Sequence, residues 1–191
     1  ETMEKLDFSQ LSQKTLDHIL DEVVQFLKEL HNIPVEEFAF LKTKDSDYEK
    51  YKSAFKKEMD VRLEWKVAQI QIDKLKKYIN DLFALQFDSN VLVHTDVQQK
   101  NIIFDYVKNN INWIIDFSDC RLSGREQDFV HFLDWWEEIF NKLIIKYLWS
   151  LDKNFINTVK FLSKKPLIFE IMNDDIYENN FDGLYEKINK F

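Results

Sequence analysis

The sequence predicts an α+β fold that is mostly helical, with a small β-hairpin at its chemical centre. Three observations lead there. Apolar residues recur at helical spacing through most of the chain. Two short β-rich runs flank an Asn-Asn turn near its middle. Polar residues suited to chemistry gather on either side of that hairpin. With 191 residues, 45% apolar and 15% aromatic, the chain can bury a sizeable core, and a single domain over 1–191 is expected.

Each element follows from its own pattern. From Ser9 to Leu30 the residues Leu16, Ile19, Leu20, Val23, Val24, Leu27 and Leu30 mark one helical face, and Pro34 ends it. Ser46-Asp47-Tyr48-Glu49 has the capping-box form, opening a helix with Tyr48, Tyr51, Phe55 and Met59 on one side. Ile70 to Phe83 is expected to be helical through Leu75, Ile79 and Leu82, and leads to a strand at Val91-Leu92-Val93. Ile102 to Phe104 and Ile111 to Ile115 form the hairpin, with Asn109-Asn110 in its turn. From Asp128 a long apolar helix is predicted through Phe129, Phe132, Leu133, Trp136, Ile139, Phe140, Leu143, Ile144 and Leu148. Trp135 and Trp136 either pack in the core or form an aromatic wall for a sugar ring. Asp152 and Pro166 mark later breaks, with helices from about Lys153 to Ser163 and Asp174 to Lys190.

Composition narrows the function classes. A net charge of −8 argues against nucleic acid as a partner, because phosphate backbones need a basic face. Between His94 and Glu138 there are nine acids and four bases, which favours a cationic small molecule. A lone cysteine, Cys120, leaves no internal disulfide and fits a reducing cytoplasm. It has no evident His or Asn partner, so an ordinary thiol is expected rather than a nucleophile. The apolar stretch from Trp135 to Trp149 is interrupted by Glu137, Glu138, Asn141, Lys142 and Lys146, so neither a membrane span nor a secretory signal is expected.

The most informative stretch is His94-Thr95-Asp96-Val97-Gln98-Gln99-Lys100-Asn101, followed by Ile102-Ile103-Phe104-Asp105 and then Trp113-Ile114-Ile115-Asp116-Phe117-Ser118-Asp119. The spacing H-x-D-x-x-x-x-N, with an apolar strand ending in Asp-Phe beyond a hairpin, is that of the catalytic and metal-binding loops of the protein-kinase-like fold. Phosphoryl transfer demands positioning and charge neutralisation more than covalent chemistry. Asp96 is therefore assigned as general base to the acceptor hydroxyl. Asn101 and Asp116 offer the oxygen ligands that Mg2+ prefers. Asp119 either supports the metal shell or a cationic substrate, or is a turn former. His94 is read as structural, its ring bonding backbone. Asp128 is read as structural too, capping a helix and orienting the catalytic loop.

These residues resemble the aminoglycoside phosphotransferase and choline kinase-like superfamily, over Val91 to Leu133. His94, Asp96, Asn101, Asp116, Asp119 and Asp128 fill the places of that family's motif. Phe26-Leu27-Lys28-Glu29-Leu30-His31-Asn32-Ile33-Pro34 resembles its F-L-x-x-L-H-x-I-P signature in a second region. The likeness favours the 2''-type antibiotic kinases, where acidic residues after the metal site hold substrate amines. Here these are Asp134 and Glu137, with Glu138 adjacent and otherwise a solvated acid. Phe181-Asp182-Gly183-Leu184-Tyr185-Glu186-Lys187-Ile188 resembles the closing helix of that subgroup. Thr95 stands where Gly or Asn is usual, Ser118 replaces the Gly of a D-F-G-D form, and the segment between Asp119 and Asp128 lacks a D-P step.

The resemblance implies the large C-terminal lobe of a kinase-like enzyme, moving the γ-phosphate of ATP or GTP to an aminoglycoside hydroxyl with Mg2+. Ile103 and Ile115 would floor the purine site or else pack in the core. Only Gly124 and Gly183 occur, so no glycine-rich phosphate loop is expected here; an N-terminal lobe of the same parent protein would supply it. The alternatives are a kinase for choline, a macrolide or a sugar, and a non-catalytic kinase-like binding module.

Overall fold

The computed structural model describes residues 1–38, 40–41, 69–87, 90–171 and 186–190. The helix expected from Ser46 and most of the tail from Asp174 lie outside the described residues. The chain forms two compact units, Glu1–Lys42 with Asp88–Lys160, and Thr43–Phe87 with Phe161–Phe191.

The first unit is built on α1, Gln13–His31. Ser12 caps it, its side chain accepting from Thr15 N at 3.1 Å. Its apolar stripe, from Leu16 through Leu27, enters one core with Val97, Ile102, Phe104, Phe129, Phe132 and the inner face of a later helix. Leu30, one turn on, packs in a smaller cluster with Leu92 and Leu122.

Among the described residues this unit holds four short strands. β1 (Val91–Val93) pairs antiparallel with β4 (Arg121–Ser123), in the register Leu92↔Leu122. β2 (Ile102–Asp105) and β3 (Asn110–Ile114) form the predicted hairpin. Its turn needs a left-handed residue, and Asn109 supplies it at φ 55°. Ile102 is opposite Ile114 and Ile103 opposite Trp113, with a bulge between Ile103 and Phe104. Alternation buries Ile102 and Phe104 and leaves Ile103 on the outer face. On the other edge of β2, Thr2 bridges Ile103, and Phe104 N donates to Glu1 O at 2.8 Å.

The long helix expected from Asp128 does not form as one element. The chain instead forms a 3-10 helix, Arg125–Asp134, then two extended residues, Trp135 (ψ 165°) and Trp136 (ψ 144°), then α3, Glu137–Leu148. Asp128 thus lies inside a helix that begins at Arg125, and it does not cap one. The physical reason is packing. With three residues per turn, positions i and i+3 eclipse. Phe129 and Phe132 then stack in one row with Trp135 at the helix end, and all three are buried in the main core. The Phe132 and Trp135 rings meet edge-on at 4.9 Å. Trp136, by contrast, is exposed. α3 contributes Ile139, Phe140, Leu143, Ile144 and Tyr147 to the core and stops at Trp149, itself left-handed at φ 64°.

α4, Lys153–Leu162, follows; its Phe155 and Val159 complete the core of the first unit. In the second unit, α2 (Gln69–Ala84) buries Ile72, Leu75, Tyr78, Ile79 and Leu82. Tyr78 Oη donates to Phe161 O at 2.8 Å, the two rings lying 4.7 Å apart. α5, Lys165–Glu170, ends near an ion pair from Lys187 to Glu170 at 3.2 Å.

Candidate active site

The turn from β1 into residues 94–98 is pinned from beneath by one carboxylate. Asp128 has no exposure to solvent, and its Oδ1 and Oδ2 accept from Thr95 N at 2.5 Å and His94 N at 3.1 Å. Oδ2 also faces His31 Nε2 at 2.9 Å, and His31 Nδ1 lies 2.6 Å from the Tyr147 hydroxyl. Burial pushes the Tyr147 hydroxyl pKa above its ordinary value. Since Asp128 only accepts, His31 Nε2 carries the proton toward it. Two backbone amides thus gain an acceptor that is itself held from α1 and α3.

This clamp sustains a strained residue. Thr95 has φ 70°, a region that costs a β-branched residue about 1–3 kcal/mol. Its amide is bound by Asp128, and its Oγ1 donates to Asp119 O at 3.2 Å. A left-handed backbone here also explains why Gly or Asn suits the position.

His94 is buried, with both ring nitrogens engaged. Nδ1 accepts from Asp96 N at 3.2 Å, so the proton sits on Nε2 and is donated to Ile115 O at 2.9 Å. The ring thereby ties the Asp96 loop to the Asp116 loop, and it stacks beside Phe117 at 4.4 Å.

Asp96 is the centre of the polar cluster. Asn101 Nδ2 donates to its Oδ2 at 2.8 Å and to its carbonyl at 2.9 Å. Gln98 Nε2 donates to Oδ1. His131 Nε2 stands 3.3 Å from Oδ1, and Lys100 Nζ 3.8 Å from Oδ2. Asn101 is buried at the end of a short 3-10 turn, Gln99–Asn101, and its carbonyl accepts from Ile115 N at 2.9 Å. That bond lies one residue from Asp116.

Asp116 is exposed and left-handed, with φ 67°. Ser118 Oγ donates to its Oδ1 at 2.7 Å, and this bond is the main cause that holds its carboxyl below the usual carboxylate range. It stays ionised well below neutral pH. The amide nitrogen of Asn101 is bound to Asp96, and its side chain carries an amide oxygen as well; Asp116 carries a carboxylate. Two hard oxygens suit Mg2+, which keeps several waters and takes phosphate oxygens. Among the described residues no group of three or more His, Cys, Asp or Glu side chains forms a self-sufficient metal site. Burial raises the Cys120 thiol above its ordinary pKa, with the Asp128 charge adding to it.

The remaining candidates lie at the surface. Ile103 is half-buried, and Ile115 is 44% exposed, two positions beyond Trp113. Asp119 is exposed beside Thr95. Asp134 ends the 3-10 helix while Glu137 and Glu138 open α3, so the break at Trp135–Trp136 separates them. Glu138 pairs with Lys142 at 3.0 Å. A separate open groove of about 620 Å³, lined by Asp21, Glu22, Glu29, Trp113 and Ile114 among others, contains none of the sequence-predicted residues.

His31, Tyr147, Gln98 and His131 also take part in the site, beyond the residues the sequence pattern points to. His31 stood in the quoted signature, as a polar residue on the apolar face of α1. Gln98 lies inside the quoted His94–Asn101 stretch, while Tyr147 and His131 carry no local signal.

The model of the phosphotransferase enzyme family matches residues 1–152. The chain belongs to that family. No curated protein matches this chain. Among solved structures it is similar to the ADP-bound aminoglycoside phosphotransferase APH(2'')-Ib, with 21% identity and TM-score 0.72, over 99% of this chain and 67% of that one. Similarity to the streptomycin–ATP–APH(2'')-IIa ternary complex reaches 22% identity and TM-score 0.72, over 99% and 66%. Macrolide 2'-phosphotransferase type I follows at 14% and TM-score 0.58, over 99% and 64%. This family member thus spans about two thirds of the length of the solved structures it matches. Among the described residues no helix is long and apolar enough to cross a membrane.

Proposed function

We propose that the protein is a Mg2+-dependent phosphotransferase that moves the γ-phosphate of ATP or GTP to a hydroxyl of an aminoglycoside. The observation that carries this reading is the Asp96–Asn101 pair, joined through Ile115 to the ionised Asp116. Asp96 receives the proton as the acceptor O–H breaks and its oxygen bonds to the γ-phosphorus, while the bond from that phosphorus to the β–γ bridging oxygen breaks and ADP or GDP leaves. Asn101 and Asp116 would hold Mg2+, which when bound neutralises charge on the phosphate oxygens. Ile103 and Ile115 offer an apolar face to the base. Asp119, Asp134, Glu137 and Glu138 are the acids that would attract substrate amines. The reading includes a nucleotide-binding lobe from the same parent protein and a cytoplasmic setting. Support for the acceptor comes from the likeness to aminoglycoside kinases, which is stronger than that to the macrolide enzyme. A macrolide acceptor is the second reading, favoured by that weaker likeness.

The test is nucleotide turnover by the full-length protein, with and without panels of aminoglycosides and macrolides. Stimulation by an aminoglycoside is expected. Stimulation by macrolides alone would move the acceptor to the second reading, and failure to bind magnesium nucleotide would favour a non-catalytic module. Replacing both Asp134 and Glu137 by Ala is expected to raise the acceptor KM about tenfold or more, the worth of one lost charge-assisted hydrogen bond, and to leave nucleotide affinity alone. An equal loss in both affinities would place the acceptor elsewhere.

A further inference from the structure

The 3-10 helix Arg125–Asp134 presents a second row of eclipsed side chains, Asp128, His131 and Asp134. The row grades outward, from fully buried Asp128 through half-buried His131 to exposed Asp134. Its inner member binds the backbone of the catalytic loop, through His94 N and Thr95 N. One turn on, His131 Nε2 reaches the carboxylate of that same loop, 3.3 Å from Asp96 Oδ1. On the opposite oxygen, Oδ2, Asn101 Nδ2 sits at 2.8 Å.

We propose that His131 is a positioning residue for Asp96. The inference rests on Asp96 being the base. A carboxylate turns about its Cβ–Cγ bond unless both oxygens are held, and a general base must keep a lone pair aimed at the proton it takes. Asn101 holds Oδ2 from within the loop. Gln98, the other contact to Oδ1, belongs to the same loop and moves with it. Among the described residues His131 is the contact that comes from outside the loop, on a helix anchored by the Phe129 and Phe132 row in the core. One rigid element therefore sets both the loop backbone, through Asp128, and the carboxylate angle, through His131. Misplacing a reacting group by about 1 Å can cost on the order of a hundredfold in rate.

The test compares kcat and KM of the full-length protein with the His131→Leu, His131→Gln and Asp96→Asn variants and the His131→Leu/Asp96→Asn double variant, with melting temperatures alongside. His131→Leu is expected to lower kcat about tenfold or more while both KM values stay within about twofold. His131→Gln, whose side-chain amide keeps an N–H for Oδ1, is expected to recover most of the loss. In the Asp96→Asn background His131→Leu should cost nothing further, because the two act as one unit. A folded His131→Leu variant with unchanged kcat overturns the inference, as does a loss that His131→Gln does not recover. If His131→Leu does not fold, His131→Gln against His131→Asn, whose shorter amide falls short of Oδ1, gives the same contrast: equal kcat in the two overturns the inference. Full turnover in Asp96→Asn alone overturns instead the assignment of the base.

Discussion

Asp96→Asn is expected to lower acceptor-dependent turnover by well over tenfold, on the order of 10² to 10⁴, the range a positioned general base contributes. The substitution is nearly isosteric. An amide oxygen can still accept from Asn101 Nδ2, the bond that sets the loop at 2.8 Å. What the amide cannot do is take the proton of the acceptor hydroxyl. Chemistry should therefore fail while geometry persists. The measurement is kcat at saturating nucleotide and acceptor, with the thermal midpoint recorded on the same sample. A fully active variant would sink the role given to Asp96. A large drop in the midpoint would mean that the carboxylate is chiefly structural.

The largest expected effect on stability is at Asp128. Asp128→Ala removes the acceptor for His94 N, Thr95 N and His31 Nε2 together, in a site closed to solvent. Truncating one member of such a buried network costs about 3–5 kcal/mol. For a chain of this size that lowers the melting temperature by about 10 °C. Asp128→Asn should cost less. The amide oxygen still serves one backbone N–H, and His31 can change tautomer to accept from the amide nitrogen while donating to Tyr147 Oη. The order Ala below Asn below Asp in thermal midpoint is the result to look for. Equal midpoints for all three would show that the clamp contributes nothing to the fold. Release of Thr95 from φ 70° in the Ala variant should also loosen the loop that carries Asp96.

Much of this architecture was legible in one dimension, and the exceptions share a cause. The α1 stripe, the hairpin with its Asn109 turn, and the H-x-D-x-x-x-x-N spacing are patterns over fewer than about twenty residues, the range in which helical and strand periodicity act. Hence the family and the approximate element order could be read directly. In β4, Arg-Leu-Ser has no strand signature of its own; its pairing partner, β1, makes it a strand. The apolar spacing after Asp128 fits the period of one α-helix. Stacking Phe129, Phe132 and Trp135 in the core selects the 3-10 form instead and breaks the chain before Glu137. The same step separates Asp134 from Glu137 and brings His131 to Asp96.

For the site, the sequence by itself determined which residue types are present and how far apart along the chain they stand: a base candidate at Asp96, oxygen ligands at Asn101 and Asp116, and acids beyond them. Only the tertiary structure decided what holds them. His31 meets Asp128 across 97 positions and Tyr147 across 116. No local pattern encodes such pairs, because they form only when α1, the 3-10 helix and α3 bury their apolar faces together and leave these polar groups each other as partners in a space that water does not reach.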